Sequence, residues 1–300
     1  MTADPVPGDH EFALCLTHDV DRPFKGYRAL YYALSERPRY HLRTLTSDAN
    51  PYWQFGTIVD LERSLGVRSA FYFLDQPHLL DRPVREWVDP RTWVQFLGRY
   101  DLTDPAFETL LAELDEGGWE VGLHGSIPAH EDRERLRAEK ERVESVLGDT
   151  VAGGRQHYLR LDGRRTWENQ SRAGLDYDAS LGSGTAYGFA HGYEPFRPFD
   201  DEFVVFPLTL MEQALPDPGT RFDRAWEECR RLLREASAND AVMTALWHPR
   251  YFSESEFPGY ARLYERLVER ALDMGAWVGP PGHLYEQLDS GAALRKSGEC

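Results

Sequence analysis

The chain has 300 residues, 41% of them hydrophobic, which allows one large or two small domains around a sizeable core. Fifty acids against 34 bases give a net charge of −16, and all but three of the bases are arginine. No basic patch offers a nucleic-acid surface, no apolar run of about 18 residues offers a membrane span, and the opening residues have no basic segment ahead of an apolar one, so no secretory signal is expected.

In chain order, residues 12–16 (FALCL) read as a buried strand that ends in Thr17-His18-Asp19-Val20-Asp21. A long connection over 22–54, rich in Tyr, Arg and Pro, leads to a helix over 57–65 and a strand over 67–74. A second long connection, 75–103, carries Trp87, Trp93, Phe96 and Tyr100. Loops of that length are lids or binding segments more often than plain linkers. Their aromatic rings suit either a glycan-binding rim or the core of a small subdomain. A helix over 104–116 follows, with Asp104 as N-cap, Pro105 at the first position and Gly117-Gly118 as its stop. Then come a strand over 119–125, a helix over 133–147 stopped by Gly148, a strand over 151–159 and a helix over 166–173 stopped by Gly174. Strands over 175–181 and 203–210, a helix over 222–238, a strand over 241–248, a helix over 260–274 and a strand over 276–279 complete the series.

Strand and helix alternate, which argues for parallel β/α units. About eight such units in 300 residues predict an α/β fold: a single-domain deformed (β/α) barrel of seven to eight parallel strands, with long loops at the catalytic face. An open doubly wound sheet is the alternative, but no GxGxxG follows the first strand. The expected organisation is a lead-in over 1–11, a barrel over 12–288 with insertions at 22–54 and 75–103, and a flexible tail over 289–300. Cys15, Cys229 and Cys300 are odd in number and scattered, so neither a disulfide framework nor a cysteine metal site is expected. They point to a reducing cytoplasm, and the acidic surface suits one high in salt. The oligomeric state is open.

Polar residues gather where the strands end. Asp19 and Asp21 are spaced i, i+2, so both project from one side of an extended chain. Two carboxylates so close repel unless a cation sits between them or one is protonated. His124 closes the third strand, Arg155 and His157 the fourth, and His248 the seventh, while Asp178 lies in the fifth. In a β/α barrel these ends meet at one face. Each residue alone has an ordinary structural explanation; their coincidence at five strand ends is what points to a site. Two imidazoles and a carboxylate make a common site for a divalent ion, here Asp21, His124 and His157. Asp19 is then free to take a proton from water, and His248 to protonate a leaving amine. Asp178 is assigned to hold His248, and Arg155 to orient Asp19 or the substrate. The set suits hydrolysis of an amide or ester.

With THDVD (17–21), GLHGS (122–126), GRQHYLR (154–160), DYDASLG (176–182), FRPFD (196–200), PLTLMEQAL (207–215) and LWH (246–248), the chain resembles the polysaccharide deacetylases, the NodB-homology group of carbohydrate esterase family 4. The resemblance runs over roughly residues 12 to 250. It implies a deformed β/α barrel, a divalent metal (zinc first, with nickel, cobalt, iron or manganese also suited), and removal of acetyl from an N-acetylated sugar or glycan. By it Asp19 is the base, Asp21 and His124 are metal ligands, Arg155 is the arginine of the third motif and His248 is the acid. The commonest pattern has a second histidine four residues after the first, where this chain has Pro128. His157 or His130 would take its place; His157 is preferred because a strand end holds a ligand more rigidly than a loop entering a helix. Hydrolysis of another C–N bond, such as that of a cyclic ureide, and glycan binding without catalysis are the competing expectations.

Overall fold

The computed structural model describes residues 5–26, 28–35, 38–46, 50–75, 99–199 and 201–289. Its elements are β1 (Ala13–Val20), α1 (Arg28–Ser35), α2 (Pro38–Thr46), α3 (Phe55–Leu65), β2 (Ala70–Phe73), α4 (Pro105–Glu116), β3 (Glu120–Gly125), α5 (Arg133–Leu147), β4 (Gly153–Gln156), α6 (Arg164–Arg172), β5 (Tyr177–Asp178), β6 (Val204–Val205), β7 (Leu208–Met211), α7 (Pro218–Ala238), β8 (Val242–Leu246), α8 (Tyr260–Asp273), β9 (Trp277–Gly279) and α9 (Pro281–Asp289).

All named strand pairs are parallel, in the order β6-β5-β4-β3-β2-β1-β8-β7, with β9 also paired to β1. This is the deformed β/α barrel. β6 and β7, separated by only two residues, lie at opposite ends of the hydrogen-bonded order. The single strand expected over 203–210 is therefore two. Pro207 sits between them, and a proline has no N–H to give a ladder. The deformation is concentrated there, next to the two-residue strands β5 and β6.

Strand alternation divides the core in two. Phe12, Leu14, Leu16 and Val20 point outwards into the large cluster beneath the helices. Ala13 and Cys15 point inwards, to a smaller cluster with Tyr72, Tyr177, Phe206 and Leu284. Small residues on the inner face of β1 leave room for the big rings of the facing strands. Cys15 and Cys229 are buried free thiols.

Local signals set most helix ends. The Asp104 side chain accepts from the Ala106 amide at 2.9 Å with Pro105 at the first position, and α4 stops at Gly117. Gly148 ends α5 at φ 82°, a left-handed conformation that glycine takes freely. The 22–54 connection contains α1 and α2, so it is not irregular throughout. Trp87, Trp93 and Phe96 of the second connection lie outside the described residues, as does the tail beyond residue 289. Tyr100, the described aromatic of that connection, serves as core rather than rim. It is buried, accepts from the Leu74 amide at 2.7 Å and donates to the Val20 carbonyl at 2.6 Å. No helix among the described residues is long and apolar enough to cross a membrane.

Candidate active site

The carboxyl ends of β1, β3, β4, β7 and β8 surround a cleft of about 230 Å3. Asp19, Asp21, His124, His157 and His248 all line it. Asp19 is on the inward face of β1, two residues before Asp21, as the i, i+2 spacing predicts. His18, just before Asp19, points the other way, onto Phe71, Phe252 and Tyr264. Its Nδ1 meets the Trp247 carbonyl at 2.5 Å, and its Nε2 lies 3.0 Å from the Glu62 carboxylate.

Parallel register sets His124 beside Arg155. Gly153 and Gly154 open β4 because nothing larger fits: a Cβ on the first would strike the Tyr177 ring, and on the second the Leu123 carbonyl. This close approach lets Arg155 run fully buried across the barrel. It donates to the Asp19 carboxylate at 2.7 Å, the Thr17 hydroxyl at 3.0 Å and the Ala179 carbonyl at 2.8 Å. Burial works to raise the Asp19 carboxyl, but Arg155, His124 and His248 outweigh it and hold it below the usual carboxylate range. Asp21 is likewise held far down against burial, by Arg250, whose Nη1 donates to Oδ1 at 2.8 Å, and by His248, Arg22 and His157. Both acids are anions, with a directed cation on each.

The histidines are prepared differently. His124 Nδ1 faces the Arg155 carbonyl at 3.0 Å; since a carbonyl only accepts, Nδ1 carries the proton and Nε2 keeps a lone pair. Burial pushes the His124 imidazole down, and pushes His157 to about 3, with His124 adding to the effect. Both rings are therefore neutral, as ligation requires. Their centroids are 4.9 Å apart. Both ring nitrogens of His157 are buried and lack a hydrogen-bond partner among the described residues. His248 Nδ1 is bonded to Glu212 Oε1 at 2.7 Å, leaving Nε2 as its working nitrogen.

One assignment from the sequence changes. Asp178 does not hold His248. Its carboxylate accepts from Gln170, Trp167, and the hydroxyl and amide of Ser180, and it is fully buried in β5, outside the cleft lining. Glu212, fully buried just after β7, holds His248 instead. His130 is not among the cleft residues. Its Nδ1 meets the Ile127 carbonyl at 2.6 Å and its Nε2 lies 3.3 Å from Glu131, whereas His157 lines the cleft. Arg22, Tyr158 and Arg250 also line it, and sequence reasoning gave them no role.

The donor types fit a divalent cation. His157 Nε2 and Asp21 Oδ2 are 3.9 Å apart, within the span of two donors that each bind one ion at about 2.0–2.2 Å. The unpartnered nitrogens of His157 and the free Nε2 of His124 supply the imidazoles. Convergence is incomplete, because among the described residues no three His, Cys, Asp or Glu side chains are grouped closely enough to hold an ion as they stand. Arg250 occupies the other oxygen of Asp21.

The deformed β/α barrel is the fold that the chain shares with solved structures of a polysaccharide deacetylase and of the CE4 family. Among solved structures, the chain is similar to a protein from Mycobacterium smegmatis assigned as a polysaccharide deacetylase, at 17% identity and TM-score 0.62 over 98% of each chain. It is similar to Puue allantoinase at 13% identity and TM-score 0.58, over 97% of this chain and 94% of that one. It is also similar to a CE4 pseudoenzyme from Bacillus anthracis at 11% identity and TM-score 0.50, over 93% of this chain and 66% of that one. No family model matches the sequence, and no curated protein sequence matches it.

Proposed function

We propose that the protein is a metal-dependent hydrolase that removes acetyl from an N-acetylated sugar, within a glycan or a glycan precursor. One observation carries this reading. A carboxylate clamped by Arg155 and an imidazole backed by Glu212 share a cleft with two neutral, under-bonded histidines. Asp21, His124 and His157 would hold the ion, and its type of donor suits zinc. Such an ion, when bound, lowers the pKa of water and polarises an acyl oxygen. The chain's own groups then divide the proton work. Asp19 Oδ2 takes the proton of the attacking water, while Oδ1 stays on Arg155. His248 Nε2 gives a proton to the departing amine, and Glu212 fixes the ring so that Nε2 faces the cleft. The buried free thiols Cys15 and Cys229 support a reducing compartment, and with it a cytoplasmic precursor as substrate.

The test is acetate release from N-acetylhexosamines and their oligomers. Turnover is expected to be lost with a chelator and to return with added zinc; turnover indifferent to chelation removes the metal from the reaction. A second reading, hydrolysis of a cyclic ureide C–N bond, is favoured by the small size of the cleft, about 230 Å3. Allantoin belongs in the same assay, and turnover of it alone would replace the sugar. Glu212→Gln keeps the shape but weakens the grip on His248 Nδ1. A fall in kcat of about 10–100-fold is expected, with KM little changed, as for other partners that orient a working imidazole. An unchanged kcat would detach Glu212 from catalysis.

A further inference from the structure

Tyr158 and Leu159 follow His157 directly, and both have left-handed φ angles, 59° and 54°. Bulky side chains rarely adopt that region, and where they do the position often serves a site. Here the turn lays the Tyr158 ring flat on His157, with centroids 4.4 Å apart and planes 4° from parallel. The ring is nevertheless 61% exposed. One face is spent on the imidazole, and the rest is displayed at the cleft that Tyr158 lines. Arg22 reaches the same place from the end of β1. Its Nη2 donates to the Tyr158 hydroxyl at 3.4 Å, and its Nε lies 3.8 Å from Asp21 Oδ2. Both contacts are long, and the other oxygen of Asp21 belongs to Arg250 at 2.8 Å. The Arg22 guanidinium therefore keeps donors for an incoming oxyanion, in the planar fork that suits carboxylate or phosphate. On a surface of net charge −16 an anion needs such a local cation to stay.

We propose that Tyr158 and Arg22 form a recognition subsite for a sugar bearing an anionic group, the ring of the sugar resting on Tyr158 and its phosphate or carboxylate pairing with Arg22. The inference rests on reading the cleft as a sugar deacetylase and narrows its substrate to an acidic N-acetylated sugar. Calorimetric titration with N-acetylglucosamine, its 1-phosphate and N-acetylmuramic acid tests it without requiring turnover. At least one anionic ligand is expected to bind about tenfold or more tightly than the neutral sugar, by a margin that shrinks with salt. Preference for the phosphate or the carboxylate identifies the group. Arg22→Gln is expected to erase the margin and leave the neutral sugar within about twofold, while Tyr158→Ala weakens all three about equally. Equal affinities in the wild type, a margin that survives Arg22→Gln, or no binding of any of the three overturns the subsite. Acetate release is read separately: charge-selective binding without acetate keeps the subsite and sinks the deacetylase, and acetate release without charge selectivity does the reverse.

Discussion

Asp19→Asn is expected to lower kcat for acetate release by about 10²–10⁴-fold, the range for loss of a general base. The amide matches the carboxylate in size, and its oxygen still accepts from Arg155, whose Nη1 lies 2.7 Å from Oδ1 in the wild type. What disappears is the basicity of the second oxygen. Burial alone would raise the Asp19 carboxyl, but Arg155 and the neighbouring imidazoles hold it below the ordinary range. Since a lowered carboxyl is already ionised above its unfolded value, Asp19 stays a base throughout neutral pH. Any loss of its activity comes only as the pH falls through the lowered value. The substitution also leaves Arg155 as a buried cation without its anion, so the variant is expected to melt at a lower temperature than the wild type. Rates are therefore compared at a temperature where circular dichroism shows both proteins folded. Arg155→Met provides the complement, since it keeps the carboxylate and removes its clamp; its kcat is expected to fall less than that of Asp19→Asn. A wild-type rate for Asp19→Asn removes that residue from the role of base.

The strand-end acids and imidazoles were legible in the sequence because two simple rules place them: apolar runs define strands, and parallel strands present their carboxyl ends together. Asp19, Asp21, His124, His157 and His248 reach the cleft for that reason. Partnerships between those side chains were less legible. Position in its strand matches Asp178 to His248, whereas the donors around it, Gln170, Ser180 and Trp167, come from its own neighbourhood in the chain. Glu212 was hidden because the 203–210 run reads as one strand. Once Pro207 divides it, Glu212 becomes the first residue after a strand end, the position that Asp21 and His157 also hold. His18 sits inside the THDVD motif, yet the alternation that sends Asp19 and Asp21 inwards sends His18 outwards. The left-handed turn at Tyr158 had no signal, since neither it nor Leu159 is a residue type that favours positive φ.

His18 makes the second large prediction a test of how the fold holds its acids in place. Glu62, on α3, is fully buried and accepts from four groups: His18 Nε2 at 3.0 Å, the Tyr264 hydroxyl at 2.5 Å, the Ser69 hydroxyl at 2.8 Å and the Trp119 indole at 2.6 Å. These come from β1, from α8, and from the residues leading into β2 and β3. One carboxylate thus ties a helix layer to the two strand entrances and to the strand that carries Asp19 and Asp21. Glu62→Ala removes the common acceptor and strands four buried donors, so a loss of about 3–5 kcal/mol is expected, the range for removing one partner of a buried pair. For a domain of this size that corresponds to a fall in Tm of roughly 5–8 °C. Glu62→Gln is expected to recover part of the loss, because its carbonyl still accepts while its NH2 group meets donors. Thermal unfolding followed by circular dichroism measures both variants. A Tm within about 2 °C of the wild type for Glu62→Ala would mean that β1 is held by its strand neighbours alone, and that His18 contributes nothing to the aim of the two acids beside it.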